Sequence, residues 1–362
     1  SWRIGVAVIG IATVALLIAV AKLVFGSHTW ANIAGLLMAI EGGAIVMSRT
    51  GLLDAILGFF ALAAFYAMVR DQRSRNLQTV TFNRPWLLLM ALCLGAATAV
   101  KWSGLYFVAA FGLYVVISEA LERRKIGQEN WIRKGIVAQG VRSSLIVIPI
   151  SAAVYVASWF GWFLSADGWS RNSKSNPLAS LINYHREILN FHTGLTTDHS
   201  YQASAWNWLV LGRPTSFFYD DPQSCGAESC SQEVLAIGTP ILWWAGLVAI
   251  FVAIGYFIYR REKSNGLILL FLLSSYLPWL AFPERTTFFF YAIAFQPFLI
   301  LCIGYVLSKF LENEVTRKVR QQYTLAGVSL VALFFAYFFP LFVGQVITYS
   351  DWYARMWFSS WI

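Results

Sequence analysis

Ten long apolar runs set the limits on what this chain can fold into. They lie near residues 4–25, 31–47, 52–69, 86–100, 104–121, 143–164, 236–259, 265–282, 290–310 and 323–347. A bilayer core asks for about 20 apolar residues per helix, and runs this long are neither half-exposed strands nor faces of soluble helices. The 86–100 run is short, but Trp86 and Trp102 bracket it as interface anchors. Composition agrees: 58% of the 362 residues are apolar and 12% charged, against about a quarter charged in a soluble domain. Two soluble domains are excluded. The expected fold is an all-α polytopic membrane protein with ten transmembrane helices.

A net charge of +9 would admit a nucleic-acid partner, so its distribution has to be weighed. Eighteen of the 27 basic residues are Lys22 or fall within 70–84, 123–142, 260–263 and 309–320. All of these connections lie on one side of the ten-span layout, and short basic loops stay cytoplasmic. The excess charge is thus a topology signal, and no nucleic-acid partner is expected. The layout gives six spans in 1–164, an extracytoplasmic loop over 165–235, four spans in 236–347 and an extracytoplasmic tail over 348–362. Both ends then lie outside a plasma membrane. Because residue 1 is Ser, a signal peptide or a further helix upstream is expected to have carried it across.

Four of the remaining basic residues, Arg3, Arg49, Lys101 and Arg285, sit at outer span ends or in very short outer connections. Singly, each reads equally well as snorkelling or headgroup contact. Together they form a cationic ring suited to a lipid-linked phosphate that gains negative charge as it leaves. Two carboxylates lie at bilayer depth. Glu41 is inside the second run, and Asp54 closes the segment Ser48-Arg49-Thr50-Gly51-Leu52-Leu53-Asp54. Each needs a partner, with Arg49 the candidate for Asp54, and a structural ion pair is a plainer reading than catalysis.

The outer loop carries His185, His192 and His199. A spacing of seven rises about 10.5 Å on a helix, too far for one shared ion, and Gly194 argues against one continuous helix. No metal is expected. Solvated helix faces, favoured for His192, or hydrogen bonds to substrate remain. The same loop is rich in aromatics, with Tyr201, Trp206 and Trp208 ahead of Arg213-Pro214, which suits a sugar, an extended peptide or the membrane surface. Cys225 and Cys230 face the oxidising side and can pair across a short loop. No nucleotide fingerprint or hydrolase motif stands in a fitting context, so no cofactor is expected.

Several of these stretches resemble one family. Glu41 to Asp54 is similar to the SR…LLD region of protein O-mannosyltransferases, and Lys101-Trp102-Ser103-Gly104-Leu105 to their KW.GL segment. Tyr184-His185, Phe191-His192, His199, Tyr201, Trp206-Asn207-Trp208 and Arg213-Pro214 resemble its long outer loop. Pro283-Glu284-Arg285 and Met356 to Trp361 resemble its last part. The loop is too short for the MIR domain of eukaryotic members, which points to an actinobacterial type.

The resemblance implies a GT-C glycosyltransferase. Such an enzyme moves mannose from a polyprenyl-phosphate carrier to Ser or Thr of secreted proteins, with inversion and without a nucleotide sugar. The partners implied are the lipid donor, the secreted acceptors and membrane lipids. It also implies that Arg3 matches a required Arg opening the family's second helix, and from the cationic ring Lys101 and Arg285 are the residues expected to contact phosphate. Arg49, His185, His199, Tyr201 and Trp206 complete the expected substrate-binding set. The family's catalytic Asp-Glu pair and the His-Pro-Pro-Leu-type segment after it do not occur in residues 1–362. The expectation is that the base lies upstream of residue 1, on a first helix and acidic loop, with Asp54 the candidate within the chain. Eleven family helices less one agree with the ten counted. Two alternatives stay open: another GT-C enzyme acting on wall polysaccharide, and a non-catalytic lipid-binding subunit.

Overall fold

The computed structural model describes residues 2–312 and 315–362. Each apolar run is helical over most of its length. The first half holds α1 (Trp2–Phe25), α2 (His28–Ala39), α3 (Gly42–Thr50), α4 (Leu53–Ser74), α5 (Pro85–Val100), α6 (Gly104–Lys125) and α7 (Val141–Ser158). The loop region contributes α8 (Phe160–Leu164), α9 (Pro177–Gly194), α10 (Ala205–Trp208), β1 (Thr215–Asp220) and β2 (Cys230–Ala236). Then follow α11 (Pro240–Arg260), α12 (Lys263–Leu280), α13 (Gln296–Phe310), α14 (Arg317–Val343), β3 (Val346–Thr348) and α15 (Tyr349–Tyr353).

Among the described residues, six helices are long and apolar enough to cross a membrane alone: α1, α4, α6, α7 with the π-helical turn Arg133–Gly140 before it, α11 and α14. The pair α2 and α3 makes a seventh if it is one span bent by 59°. The chain is a multi-pass, mostly helical membrane protein. The other three apolar runs form the shorter helices α5, α12 and α13.

Three sequence expectations need correction. The fold is not all-α, because β1, β2 and β3 form an antiparallel sheet in that order. The last apolar run ends as helix at Val343, where Gly344 takes a left-handed φ of 68° and the chain continues into β3. The run 290–310 begins as a 3-10 turn over Phe289–Ala294 before α13. Cys225 and Cys230 are disulfide-bonded and close the connection between β1 and β2. The loop and the tail pack together: buried Trp361 donates to the Leu211 carbonyl at 2.7 Å, and Arg213 donates to the Ile362 carbonyl at 2.5 Å.

The bend between α2 and α3 has a chemical cause. Fully buried Glu41 caps α3, its Oε2 accepting from the Ala44 N–H at 2.6 Å. Its Oε1 accepts from the Thr239 N–H at 3.1 Å and from Trp243 Nε1 at 2.8 Å, which ties the bend to α11. The carboxylate is therefore satisfied by N–H donors, which is how a buried charge is tolerated without a cation.

At the end of the bundle opposite the sheet, acids and bases form a buried network. Glu119 accepts from Arg84 at 2.7 Å and Arg123 at 2.9 Å, with Arg75 at 3.5 Å. Arg84 also holds Asp71, and Lys263 reaches Glu122 at 2.5 Å. Arg123 further donates to the Thr79 carbonyl at 2.7 Å, pinning the 76–83 connection onto α6. Removing one partner from such a network strands the rest without compensation, at a cost of about 3–5 kcal/mol. Glu119→Ala should therefore lower the thermal unfolding midpoint in detergent markedly, whereas changing exposed Lys174 to Ala should leave it in place. Equal midpoints for both variants would show that the network contributes no stability.

Candidate active site at the sheet end of the bundle

At the end of the bundle that carries the sheet, short reversals between helices turn polar side chains inward. The sharpest joins α5 to α6. Lys101 is extended, and Gly104 packs so closely that a Cβ there would lie 2.5 Å from the Thr98 nitrogen. This reversal brings the Lys101 Nζ to 2.8 Å from Asp54 Oδ1 in the first turn of α4. The same ammonium stands 3.5 Å from the centre of the Tyr291 ring and 5.9 Å from that of Trp279. Aromatic faces attract a cation held this way.

A second cation joins from the turn after α12. The Arg285 Cζ lies 5.3 Å from the centre of the Trp279 ring, and its Nη2 donates to His192 Nδ1 at 3.1 Å. The turn itself is stitched to the loop region. Thr286 N donates to the Leu195 carbonyl at 3.1 Å, the Thr286 hydroxyl to Thr197 at 2.6 Å, and the Thr287 hydroxyl to Ala203 at 2.7 Å. Lys101, Arg285, Asp54 and His192 thus converge around Trp279 and Tyr291. Neither aromatic was singled out from the sequence, although both lie within seven residues of Arg285 in an aromatic-rich stretch.

Two sequence expectations change here. Asp54 pairs with Lys101 and not with Arg49, which donates instead to the Phe342 carbonyl of α14 at 3.1 Å. Gly51 ends α3 with φ of 76° and starts a new direction, so residues five apart in sequence serve different neighbours. His192 is more than a solvated helix position, since its ring accepts from Arg285. Partial burial, and then the positive charges of Arg285 and Lys101, hold His192 below its ordinary pKa.

The other expected site residues spread around this cluster. His185 lies on α9 with both ring nitrogens engaged, one with the Tyr155 hydroxyl at 2.7 Å and one with the Leu181 carbonyl at 2.8 Å. The carbonyl can only accept, so Nδ1 carries the proton and Nε2 accepts from Tyr155. Trp102 stacks on the His185 ring at 5.7 Å and donates to the Tyr155 hydroxyl at 3.0 Å. Nothing in the sequence around Tyr155 marked it. His199 lies beyond the end of α9, accepts from the Tyr201 N–H at 3.1 Å and meets Phe288 edge-on. Arg213 covers the Tyr201 ring at 5.0 Å. Trp206 is 67% exposed, while Trp208 is buried. Arg3 is exposed in the first turn of α1.

Residues 1–162 match the family model described as dolichyl-phosphate-mannose-protein mannosyltransferase, and residues 177–361 match the C-terminal four-TMM region of protein-O-mannosyltransferase. A polyprenol-phosphate-mannose–protein mannosyltransferase of Corynebacterium glutamicum is 33% identical over 99% of this chain and 77% of its own length. The chain belongs to the protein O-mannosyltransferase family. A Mycobacterium tuberculosis relative with the same description is 31% identical over 99% of this chain and 76% of its own. The fold agrees with the S. cerevisiae protein O-mannosyltransferase Pmt1-Pmt2 complex bound to the sugar donor. That match has a TM-score of 0.82 at 15% identity, covering all of this chain and 80% of that one. ArnT from Cupriavidus metallidurans shares the architecture more loosely, with a TM-score of 0.52 at 15% identity over 95% of this chain and 62% of its own.

The His192 contact sets a pH dependence. With its pKa depressed, the ring is neutral and accepts from Arg285 at neutral pH. On acidification it gains a proton, loses that acceptor and adds a like charge beside two cations. The stabilisation is therefore present above the ordinary His range and is lost as the pH falls through the depressed value. His192→Gln keeps an acceptor and cannot titrate. Between about pH 7.5 and about pH 5.5 its unfolding midpoint should fall by less than that of the wild type. Identical falls would remove the contact from the account.

Proposed function

We propose that this chain transfers mannose from polyprenyl-phosphate-mannose to Ser or Thr hydroxyls of secreted proteins, with inversion at the anomeric carbon. The observation that carries the reading is the convergence of Lys101 and Arg285 against Trp279 and Tyr291. The near-full-length likeness to mannosyltransferases so described supports the same chemistry. In the reaction the acceptor oxygen attacks the anomeric carbon, and the bond to the phosphate oxygen breaks with its electron pair on the phosphate. The hydroxyl proton passes to a carboxylate within hydrogen-bond reach. Lys101 and Arg285 act on the departing phosphate, because preformed cations strengthen their hold as charge develops. Asp54 holds the Lys101 ammonium in place, and its role is positional.

The same reading orients the molecule. The sheet, α9 and the Lys101–Arg285 cluster face the extracytoplasmic side of the plasma membrane, where secreted acceptors emerge. The Glu119 network faces the cytoplasm, and all ten helical runs cross the bilayer. Arg3, Arg49, His199, Tyr201 and Trp206 belong to the wider lipid- and acceptor-binding surface. His185 shapes that surface by packing against Trp102 and Tyr155.

Lys101→Ala and Arg285→Ala should each slow transfer of labelled mannose from polyprenyl-phosphate-mannose to a Ser/Thr-rich peptide. Loss of one transition-state contact costs about 2.7–4 kcal/mol, on the order of 100- to 1000-fold in rate. Wild-type turnover by both variants at normal protein levels would end the phosphate assignment. For the orientation, a single Cys at Ser175 should react with an impermeant thiol reagent in intact cells, and one at Gln128 should not. Labelling confined to the Gln128 position would invert the topology.

A further inference from the structure

A cavity of about 340 Å³ lies between α1, α2, α3, α4 and α13, and neither Lys101 nor Arg285 lines it. Its walls are mostly apolar. Ile11 lines it and is also 73% exposed, so the cavity opens sideways along the outward face of α1, where Ile4 and Val8 are exposed too. α1 and α3 touch beside it, since a Cβ on Gly10 would fall 2.2 Å from Ser48 Oγ. Within these walls sits Gln296, at 0% exposure, with neither its amide nitrogen nor its amide oxygen bonded to any protein group. Arg49 also lines the cavity, its guanidinium donating to the Phe342 carbonyl.

A buried amide at bilayer depth demands partners for both its donor and its acceptor. A plain hydrocarbon occupant supplies neither. Ordered water asks for two to four polar contacts each, so Thr13, Ser48, Arg49 and Gln296 can hold a few waters but leave most of this apolar volume unfilled. A lipid phosphate supplies what is needed. Its ester oxygens accept from the Gln296 amide N–H and the Arg49 guanidinium, a hydroxyl on the phosphate or headgroup donates to the amide oxygen, and the chain covers the apolar wall.

We infer that this cavity is a lateral site for a phosphate-headed lipid, anchored by Gln296 and Arg49 and separate from the Lys101–Arg285 cluster. The carrier lipid and the bilayer phospholipids share that chemistry. The test is native mass spectrometry of the delipidated 362-residue chain, titrated with polyprenyl phosphate in one arm and phosphatidylglycerol in the other. Measured in the Lys101→Ala/Arg285→Ala background, which removes the phosphate contacts of the cluster, one lipid per chain should bind in at least one arm, and that arm names the source. Gln296→Leu and Arg49→Gln should each weaken binding by about tenfold or more, as expected for loss of a hydrogen bond to a charged group. Ala55→Phe, which fills the cavity, should abolish it. Added lipid should raise the unfolding midpoint of the wild type and leave that of Gln296→Leu unmoved, which separates lost binding from lost folding. A Lys101→Ala/Arg285→Ala double variant should still bind, so the outcome is independent of the transfer reading. Absence of binding in both arms, undiminished binding by Gln296→Leu, or loss of binding in the Lys101/Arg285 double variant would overturn the site.

Discussion

Polar groups at bilayer depth have no water to turn to, and the arrangement of this molecule follows from how each one is satisfied. Glu41 shows the cost most plainly. A carboxylate with no exposure inside an apolar helix pair would be prohibitive alone, yet here three N–H donors from two helices converge on it. In meeting that need the chain breaks α2 from α3 and fastens the break to α11. Gly42 is the only residue type that fits beside it, since a Cβ there would lie 2.1 Å from the Phe342 ring. The bend, its fastening to α11 and the close approach of Phe342 of α14 to Gly42 all lie around this one buried carboxyl.

The same requirement explains what could and could not be read from the residues in order. Hydropathy located the apolar helical runs because it reads composition over about 20 residues, a local property. The Cys225–Cys230 pair was legible for a similar reason, as five residues of separation limit the geometry. The partner of Asp54 was not legible. Arg49 is near in sequence, but Gly51 reverses the chain between them, and Lys101 arrives from a different helix connection 47 residues on. Tyr155 and Tyr291 carried no mark because their roles come from tertiary neighbours. The sheet was missed because its strands are six, seven and three residues long, too short and too mixed in pattern to stand out from a loop.

Membership of the family rests on the length of the likeness more than on any one motif. Each resembling stretch is short, and short stretches match by chance. A third of positions identical across nearly the whole chain, together with one architecture shared with a yeast mannosyltransferase pair, do not. The geometry then adds what similarity alone lacks. Of four cations grouped by sequence position, it brings Lys101 to the Tyr291 and Trp279 rings and Arg285 to Trp279, and it ties Arg49 to α14.

The two ends of the bundle also treat positive charge in opposite ways. At the far end Arg75, Arg84, Arg123 and Lys263 meet Asp71, Glu119 and Glu122, so three of four positive charges are offset within a few ångströms. Topology rules count Lys and Arg and give little weight to Asp and Glu, so this neutralisation does not disturb the orientation signal. At the sheet end, among the described residues, Lys101–Asp54 is the single ion pair in the Lys101–Arg285 cluster. Arg285 leans on a neutral His192 and an aromatic face instead of a carboxylate. A neutral acceptor orients a guanidinium without cancelling it, and a ring face holds it without a counter-ion. The result is a positive potential kept in reserve beside low-dielectric walls, where an arriving anion feels it most strongly. A fully paired arrangement would stabilise the fold and leave no such potential.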